Sequence, residues 1–349
     1  MIAAAPRPPL LAPARYFVSP LFDIVTIGGG LSLAFGLAMW FANIHVTLGP
    51  WLAILFIFSN NAHFAASSVR LYTRPGVTRS QPWLTLAFPL VALAAATLAI
   101  ALPEPLGLYL FTLYAVWSPY HYSQQAYGLA VMYGYRAEVA LDDRAKRVVR
   151  AACLVPFAWA LLQPSGGVGG VLRYWHAPAP APFELFRSGA SGGLAVLTLL
   201  APLAMLLWLR ARHGVALPFI SVLTVVSNAV WWTLFNFLDA FLWATVFHGL
   251  QYLAIVTIFH AKDRTRSAGV RWVGWHAASF YAACLAIGYV LFNLWPYAYG
   301  AAGYNLGKAT LVTVAAINIH HFVVDAYIWR LRRDPNYANV VETREPVPA

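Results

Sequence analysis

Apolar runs long enough to cross a bilayer recur along almost all of this 349-residue chain. A spanning helix needs roughly 20 mostly apolar residues, and about ten such runs are present. They lie near 23–43, 50–72, 83–103, 106–135, 146–163, 191–210, 216–238, 240–261, 272–293 and 304–330. Backbone groups in hydrocarbon must be paired within the protein, so a continuous apolar run is a helix. The runs do not alternate apolar with polar residues, which disfavours the strands of a barrel. The expected fold is all-α: one polytopic transmembrane helical domain over 23–333. A short N-terminal segment, 1–22, precedes it and a tail, 334–349, follows.

Composition enters as a check. The chain is 60% hydrophobic and 10% charged, against about 25% charged in a soluble domain. The formal charge of +11 raises nucleic acid as a partner, but the basic residues form no stripe. They cluster at segment ends: Arg7 and Arg15; Arg70, Arg74 and Arg79; Arg136, Arg144, Lys146, Arg147 and Arg150; Arg210 and Arg212; Lys262, Arg264, Arg266 and Arg271; Arg330, Arg332 and Arg333. The opposite loops hold almost none beyond Arg173 and Arg187. This alternation obeys the positive-inside rule with an even number of spans and both termini cytoplasmic. The expectation is a multi-pass protein of the inner (plasma) membrane that binds no nucleic acid.

Several local readings follow. The start, MIAAAPRPPLLAPARYF, lacks a continuous apolar core and does not read as a cleavable signal, so the first span is expected to act as the membrane signal. Residues 164–190 are rich in Gly and Pro and read as a long outer loop, with Trp175 and His176 capping the bundle or lying on the membrane surface. The tail from Asp334 reads as disordered. Cys153 and Cys284 form no CxxC pair. Pro119 is expected to break the fourth span. Arg70 and Arg330 read as interfacial side chains whose charged ends reach water. His45, His213, His260 and His276 read as solvated, and Asp239 as an interface residue or a gate.

Function is carried by histidine. Four apolar segments hold it, in NNAHFAASSVR (His63), SPYHYSQQAYG (His121), VFHGLQYL (His248) and NIHHFVVDAYIWR (His320 and His321). Ionisable groups in hydrocarbon are costly and usually line a bundle interior or a proton path. Imidazole is also the commonest metal ligand. The four segments are the even-numbered spans, and at about 1.5 Å rise per residue their histidines lie roughly 10–22 Å from the next basic cluster. Those depths allow one shared site.

Each histidine heads a polar stripe at helical spacing. Asn60, His63, Ser67 and Arg70 form one. Ser118, His121 and Gln125 form another. His248 shares a face with Gln251 and Tyr252, and Asn318 with His321 and Asp325. A bound imidazole normally gives its other N–H to a carboxylate, carbonyl or amide, so these stripes read as ligand plus support. His320 and His321 stand about 100° apart on a helix, so one ligates while the other points elsewhere. Asp325 needs a partner in apolar surroundings, with His320, His321 and Arg330 as candidates. The bland alternative is a histidine that merely hydrogen-bonds between helices, with Gln124, Gln125 and Gln251 as interhelical glue.

An all-imidazole site with carboxylate support suits Fe, Zn or Cu. No HExxH is present, which disfavours a membrane zinc protease, and neither CxxCH nor the His boxes of membrane desaturases occur. Haem b held by two histidines is an alternative. A transporter with a polar path is another, although matched Gly/Pro breaks in two halves are not evident. The His248–Gly249 pair is similar to membrane acyltransferases over two residues only.

The order and context of these motifs resemble the Brp/Blh family of membrane β-carotene 15,15′-dioxygenases. That family's signatures resemble PHGxxD, HFGxxD, HxxxHF and PHxxxxD. HHFVVD, with Asp325, is similar to the last. VFHGLQYL is similar to the third, with Tyr252 in place of its second His. His63 and His121 stand for the first two, with Ser67/Ser68 and Gln124/Gln125 in place of the aspartates. The resemblance covers about 40 residues in all. It implies a non-haem iron and O2 as co-substrate. The resulting expectation is a His-ligated iron oxygenase or oxidoreductase acting on an isoprenoid, carotenoid or acyl chain that enters from membrane lipid. His63, His121, His248 and His320 or His321 are the expected ligands. Asp325, Tyr252, Gln125 and Gln251 are expected to orient them or handle protons. A haem-binding electron-transfer protein and a transporter without metal are the alternatives.

Overall fold

The structure is a computed structural model of the chain and describes residues 10–44, 50–74, 76–163, 167, 169, 181–268, 273–329 and 340. Trp175, His176, His45, Arg330 and the tail from Asp334 lie outside the described residues. Ten helices account for the expected runs among the described residues. They are α1 (Pro20–Ile27, then Gly30–Phe41), α2 (Pro50–Tyr72), α3 (Trp83–Ala101), α4 (Leu108–Arg136), α5 (Asp143–Leu162), α6 (Ala181–His213), α7 (Phe219–Leu234), α8 (Phe237–Ala268), α9 (Val273–Ala301) and α10 (Leu306–Ile328). The described residues contain no strand, only an isolated bridge between Ala12 and Pro218.

Six helices are long and apolar enough to cross a membrane (α2, α3, α6, α8, α9 and α10), and α1 makes a seventh if its two halves count as one span. The expected runs are thus all met as helices, of which six or seven meet the length and composition of a span among the described residues. The reason is local. α4 carries Ser, Gln and His through its middle and α5 opens on a basic cluster. The 16 residues of α7 rise only about 24 Å, against a hydrocarbon core of roughly 30 Å.

Two further expectations are corrected. Pro119 does not break α4, which runs unbroken through it. The hydroxyls of Ser118 and Ser123 donate to the carbonyls of Tyr114 and Pro119 at 2.8 and 3.0 Å, occupying backbone acceptors around the proline. The outer loop ends early: 181–190 already belong to α6, where Pro182 suits a first turn and Glu184 pairs with Arg187 one turn on. Asp239, expected as an interface residue or a gate, lies in the first turn of α8. It starts α8 by a reciprocal cap, its N–H donating to Asn236 Oδ1 at 3.0 Å and its carboxylate accepting from Asn236 Nδ2 at 2.8 Å.

The chain divides into two compact units that interleave in sequence. The first holds residues up to Val46, Pro119–Ala244 and the stretch from Val340; the second holds Thr47–Ser118 and Thr245–Asn339. No shift in composition marks the division, because it falls inside α4 and α8.

In the first unit α5 packs on α6 and α7, and α7 on α1. Its apolar centre joins Ala130, Val149, Cys153, Met205, Leu209 and Leu217. α1 bends by 55° at Gly28–Gly29, where Gly29 takes φ +81°. A Cβ on Gly28 would lie 2.9 Å from Ile220, so the bend allows close contact with α7. Asp23, fully buried, closes the start of α1. Its Oδ2 accepts from the Phe17 N–H at 2.5 Å and the Tyr133 hydroxyl at 2.8 Å; its Oδ1 accepts from the N–H groups of Val18 and Ser19 at 3.1 and 3.3 Å.

In the second unit α2 packs on α9 and α10, and α10 on α3. Small residues make the approaches close, as expected where lipid supplies no hydrophobic drive between helices. Ala62, Ala65 and Ala66 of α2 meet Val256, Phe280 and Cys284. Ala96 and Ala99 of α3 meet Ala309, Val312 and Ala316 of α10.

Candidate metal centre

Three helices of the second unit each bring one imidazole to the same place: His63 from α2, His248 from α8 and His321 from α10. Each offers a ring nitrogen within 4.8 Å of the others. Their relative exposures are 0, 5 and 1%. The rings meet edge to face, with centroids 4.8 Å apart for His63 and His248 and 4.3 Å for His63 and His321. Phe64 lies edge-on to His321 at 4.7 Å and belongs to an apolar cluster with Phe292, Ile317 and Phe322. The centre is thus polar within and apolar around.

Ser67 Oγ lies 2.9 Å from His321 Nδ1 and 3.1 Å from the Phe64 carbonyl. With the ring proton on Nδ1, Ser67 accepts from it and gives its own proton to the carbonyl, leaving the Nε2 lone pair for a metal; with the ring proton on Nε2, the ring faces Asp325 and Nδ1 accepts from Ser67.

Asp325, one turn further along α10, has Oδ2 3.5 Å from His321 Nε2. Its Oδ1 accepts from the Tyr252 hydroxyl at 2.6 Å. Tyr252 also stands edge-on to His63, centroids 4.6 Å apart. Asp325 is therefore partnered by Tyr252 and His321; Arg330, a third candidate, is outside the described residues.

Of the remaining expected residues, His320 and Gln251 also belong to the second unit. His320 is not brought to the centre: its ring stacks on Phe88 of α3 at 5.2 Å and 9°. The 100° step between adjacent helical residues thus selects His321. Gln251 is half-buried one turn beyond His248. His121 and Gln125, on α4, belong to the first unit. Asn318 turns to its own helix, donating to the Val314 carbonyl at 2.7 Å.

Two polar features escaped the sequence reading. Arg70 does not reach water: it is 3% exposed and pairs with Asp263 of α8 at 2.9 Å, its guanidinium 5.9 Å from the Phe259 ring centre. His260 is not solvated but stacks on Phe280 at 4.3 Å. Both partners are too distant in sequence for helical periodicity to reveal. The shape of α2 ahead of His63 escaped it as well. Residues Ile57–Asn61 form a widened turn with five-residue hydrogen bonding, and the regular helix resumes at Ala62.

The donor set passes a test of fit. Nitrogens bound to one ion at about 2.0–2.1 Å stand roughly 3–4 Å apart, and separations within 4.8 Å reach that by small side-chain rotations. No family model, no curated protein and no solved structure matches the chain.

Proposed function

We propose that this chain is an integral-membrane metalloenzyme: a His-ligated non-haem iron oxygenase or oxidoreductase that uses O2 on a hydrophobic isoprenoid, carotenoid or acyl substrate. The observation that carries the reading is the meeting of three imidazoles from three helices in an apolar shell. The sequence stripe Ser118, His121 and Gln125 nominates His121 as a further ligand. The same reading takes α1–α10 as ten crossings with both termini cytoplasmic, from the distribution of Lys and Arg.

When bound, iron would supply an open coordination position and the redox chemistry at which dioxygen is activated. The chain's own residues do the rest. Ser67 fixes the plane of His321. Asp325 accepts the Tyr252 hydroxyl at Oδ1 and sets Oδ2 3.5 Å from the His321 imidazole, so a proton can be held between tyrosine, carboxylate and ring. Phe64, Phe292 and Phe322 exclude water, which strengthens every electrostatic interaction inside. A centre among apolar helices is reached most directly from lipid, which is why the substrate is expected to be hydrophobic.

Haem is the weaker reading. Two axial imidazoles on one iron place their centroids roughly 6 Å apart, with a flat macrocycle between. His63 lies 4.8 and 4.3 Å from His248 and His321, ring against ring. That spacing favours a bare ion.

Elemental analysis with an optical spectrum of detergent-purified protein tests the proposal. One or two irons per chain without a Soret band supports it, and O2 consumption with isoprenoid and acyl substrates follows. His63→Ala, His248→Ala and His121→Ala are expected to lose the metal while remaining folded. A Soret band moves the function to electron transfer; neither metal nor haem moves it to transport. Stoichiometric metal in all three variants sinks the ligand assignment.

A further inference from the structure

His63 is the ring that touches all the others, and the helix presenting it is not regular. An α-helix turns about 100° per residue, so one extra residue in a widened turn rotates everything beyond it by about that angle. Such turns are rare, cost hydrogen-bond geometry, and are common at functional sites. In α2 the widened turn Ile57–Asn61 ends two residues before His63.

Two other helices of the same unit are shaped to this turn. From α9, the Tyr281 hydroxyl donates to the Phe58 carbonyl at 2.7 Å, occupying an acceptor inside the irregular stretch. Also from α9, Gly288 leaves room for the turn's last carbonyl: a Cβ there would lie 2.5 Å from the oxygen of Asn61. From α8, a Cβ on Gly249 would lie 3.2 Å from the carbonyl carbon and oxygen of Ser59. Gly249 directly follows His248, so the residue that accepts the turn is bonded to one that lines the centre. Within α2, Ser59 Oγ donates to the Leu55 carbonyl at 2.6 Å, holding the turn's leading edge. Neither Tyr281, Gly288 nor Gly249 lines the group of imidazoles.

We infer that Tyr281, Gly288 and Gly249 form a clasp that holds the widened turn of α2 and thereby sets the angle at which His63 enters the metal centre. They are positioning residues, and the inference rests on the metal reading above. A missing Cβ at Gly288 matters because the atom opposite is backbone, which cannot swing aside as a side chain would. Adding a methyl there must move α2, α9 or both. Removing the Tyr281 hydroxyl leaves packing intact and releases only the carbonyl.

The experiment uses the full chain in detergent, stripped with chelator and titrated with Co2+. Its readouts are Co2+ affinity and the visible bands of the bound ion, which report ligand geometry. Residues that orient ligands typically change affinity by about 10–100-fold. Tyr281→Phe is expected to weaken Co2+ binding about tenfold and shift the bands, and Gly288→Ala to do more. Gly274→Ala, where a Cβ would meet nothing within 4 Å, is expected to change neither. If Gly288→Ala does not fold, Tyr281→Phe decides. Wild-type affinity and spectrum in Tyr281→Phe overturn the clasp while leaving the metal reading standing. A wild-type protein that binds no Co2+ overturns the metal reading and the clasp with it.

Discussion

Two buried carboxylates, one in each unit, are held in different ways. Asp23 accepts three backbone N–H groups and one hydroxyl. Asp325 takes the Tyr252 hydroxyl, bonds the side chain of Trp329 and faces His321. Both lie in apolar surroundings where an ionised carboxylate needs compensation. Backbone donors are fixed by the fold and carry no proton that chemistry can use, so Asp23 is a structural fastening for the chain entering α1. Side-chain donors can rotate and exchange protons, so Asp325 keeps a polar group available beside the imidazoles. What differs is the partners, and the partners decide whether a buried charge serves stability or reaction.

Substitution at the two carboxylates should separate these roles. Asp23→Ala strands four donors and is expected to destabilise the protein by about 3–5 kcal/mol, with metal content unchanged in whatever protein folds. Thermal unfolding in detergent and elemental analysis read the two effects. Loss of metal without loss of stability would reverse the roles given to the two units.

Tyr252→Phe withdraws one donor from Asp325. The expected cost is about 1–3 kcal/mol, from a buried acceptor losing a partner. Substrate-dependent O2 uptake should fall more than stability does, because the hydroxyl also holds the proton. Unchanged uptake would reduce Tyr252 to a packing residue.

Ser67→Ala removes the hydrogen-bond partner of His321 Nδ1. Stability should change by only about 1 kcal/mol, while metal affinity falls roughly 10–100-fold. Equal affinity in the variant would show that something else fixes the His321 ring.

The smallest effect lies outside the spans, at the start of α5. Asp142 caps that helix by accepting from the Ala145 N–H at 2.6 Å, and it lies 3.1 Å from His213 Nδ1. The backbone hydrogen bond from Ala145, first, and the nearby His213, next among the lowering influences, hold its carboxyl below the usual carboxylate range. A depressed folded value means stability that is present above the ordinary carboxylate range and lost as pH falls through the folded value. Melting temperature measured from neutral to strongly acid pH should therefore fall less steeply in Asp142→Asn than in the wild type. Parallel curves would remove Asp142 from the acid response.

The helices were legible because hydrocarbon leaves a continuous apolar run no other option. The histidines were legible because imidazole in such a run is costly enough to need a reason. Within α10 the 3.6-residue period even paired His321 with Asp325. It also grouped His63 with Ser67, and both lie beyond the widened turn, where the helix is regular. What the period did not reveal were partners on other helices. Ser67 and His321 are 254 residues apart, Arg70 and Asp263 193, and Tyr281 and Phe58 223. Arg70 was assigned to the interface because its own helix shows only a basic residue near an end. Asp263 of α8, itself 38% exposed, makes it a half-buried pair.

By itself, then, the sequence determined an all-helical protein with histidines buried among apolar segments, since desolvation of backbone and imidazole is a property of each segment alone. Tertiary structure decided which of two adjacent histidines joins the centre and which side chains meet its two ring nitrogens. It also decided that a glycine on α9 admits a carbonyl of α2. Those outcomes depend on helix phase and on distances of an ångström or less between segments, and no single segment encodes them.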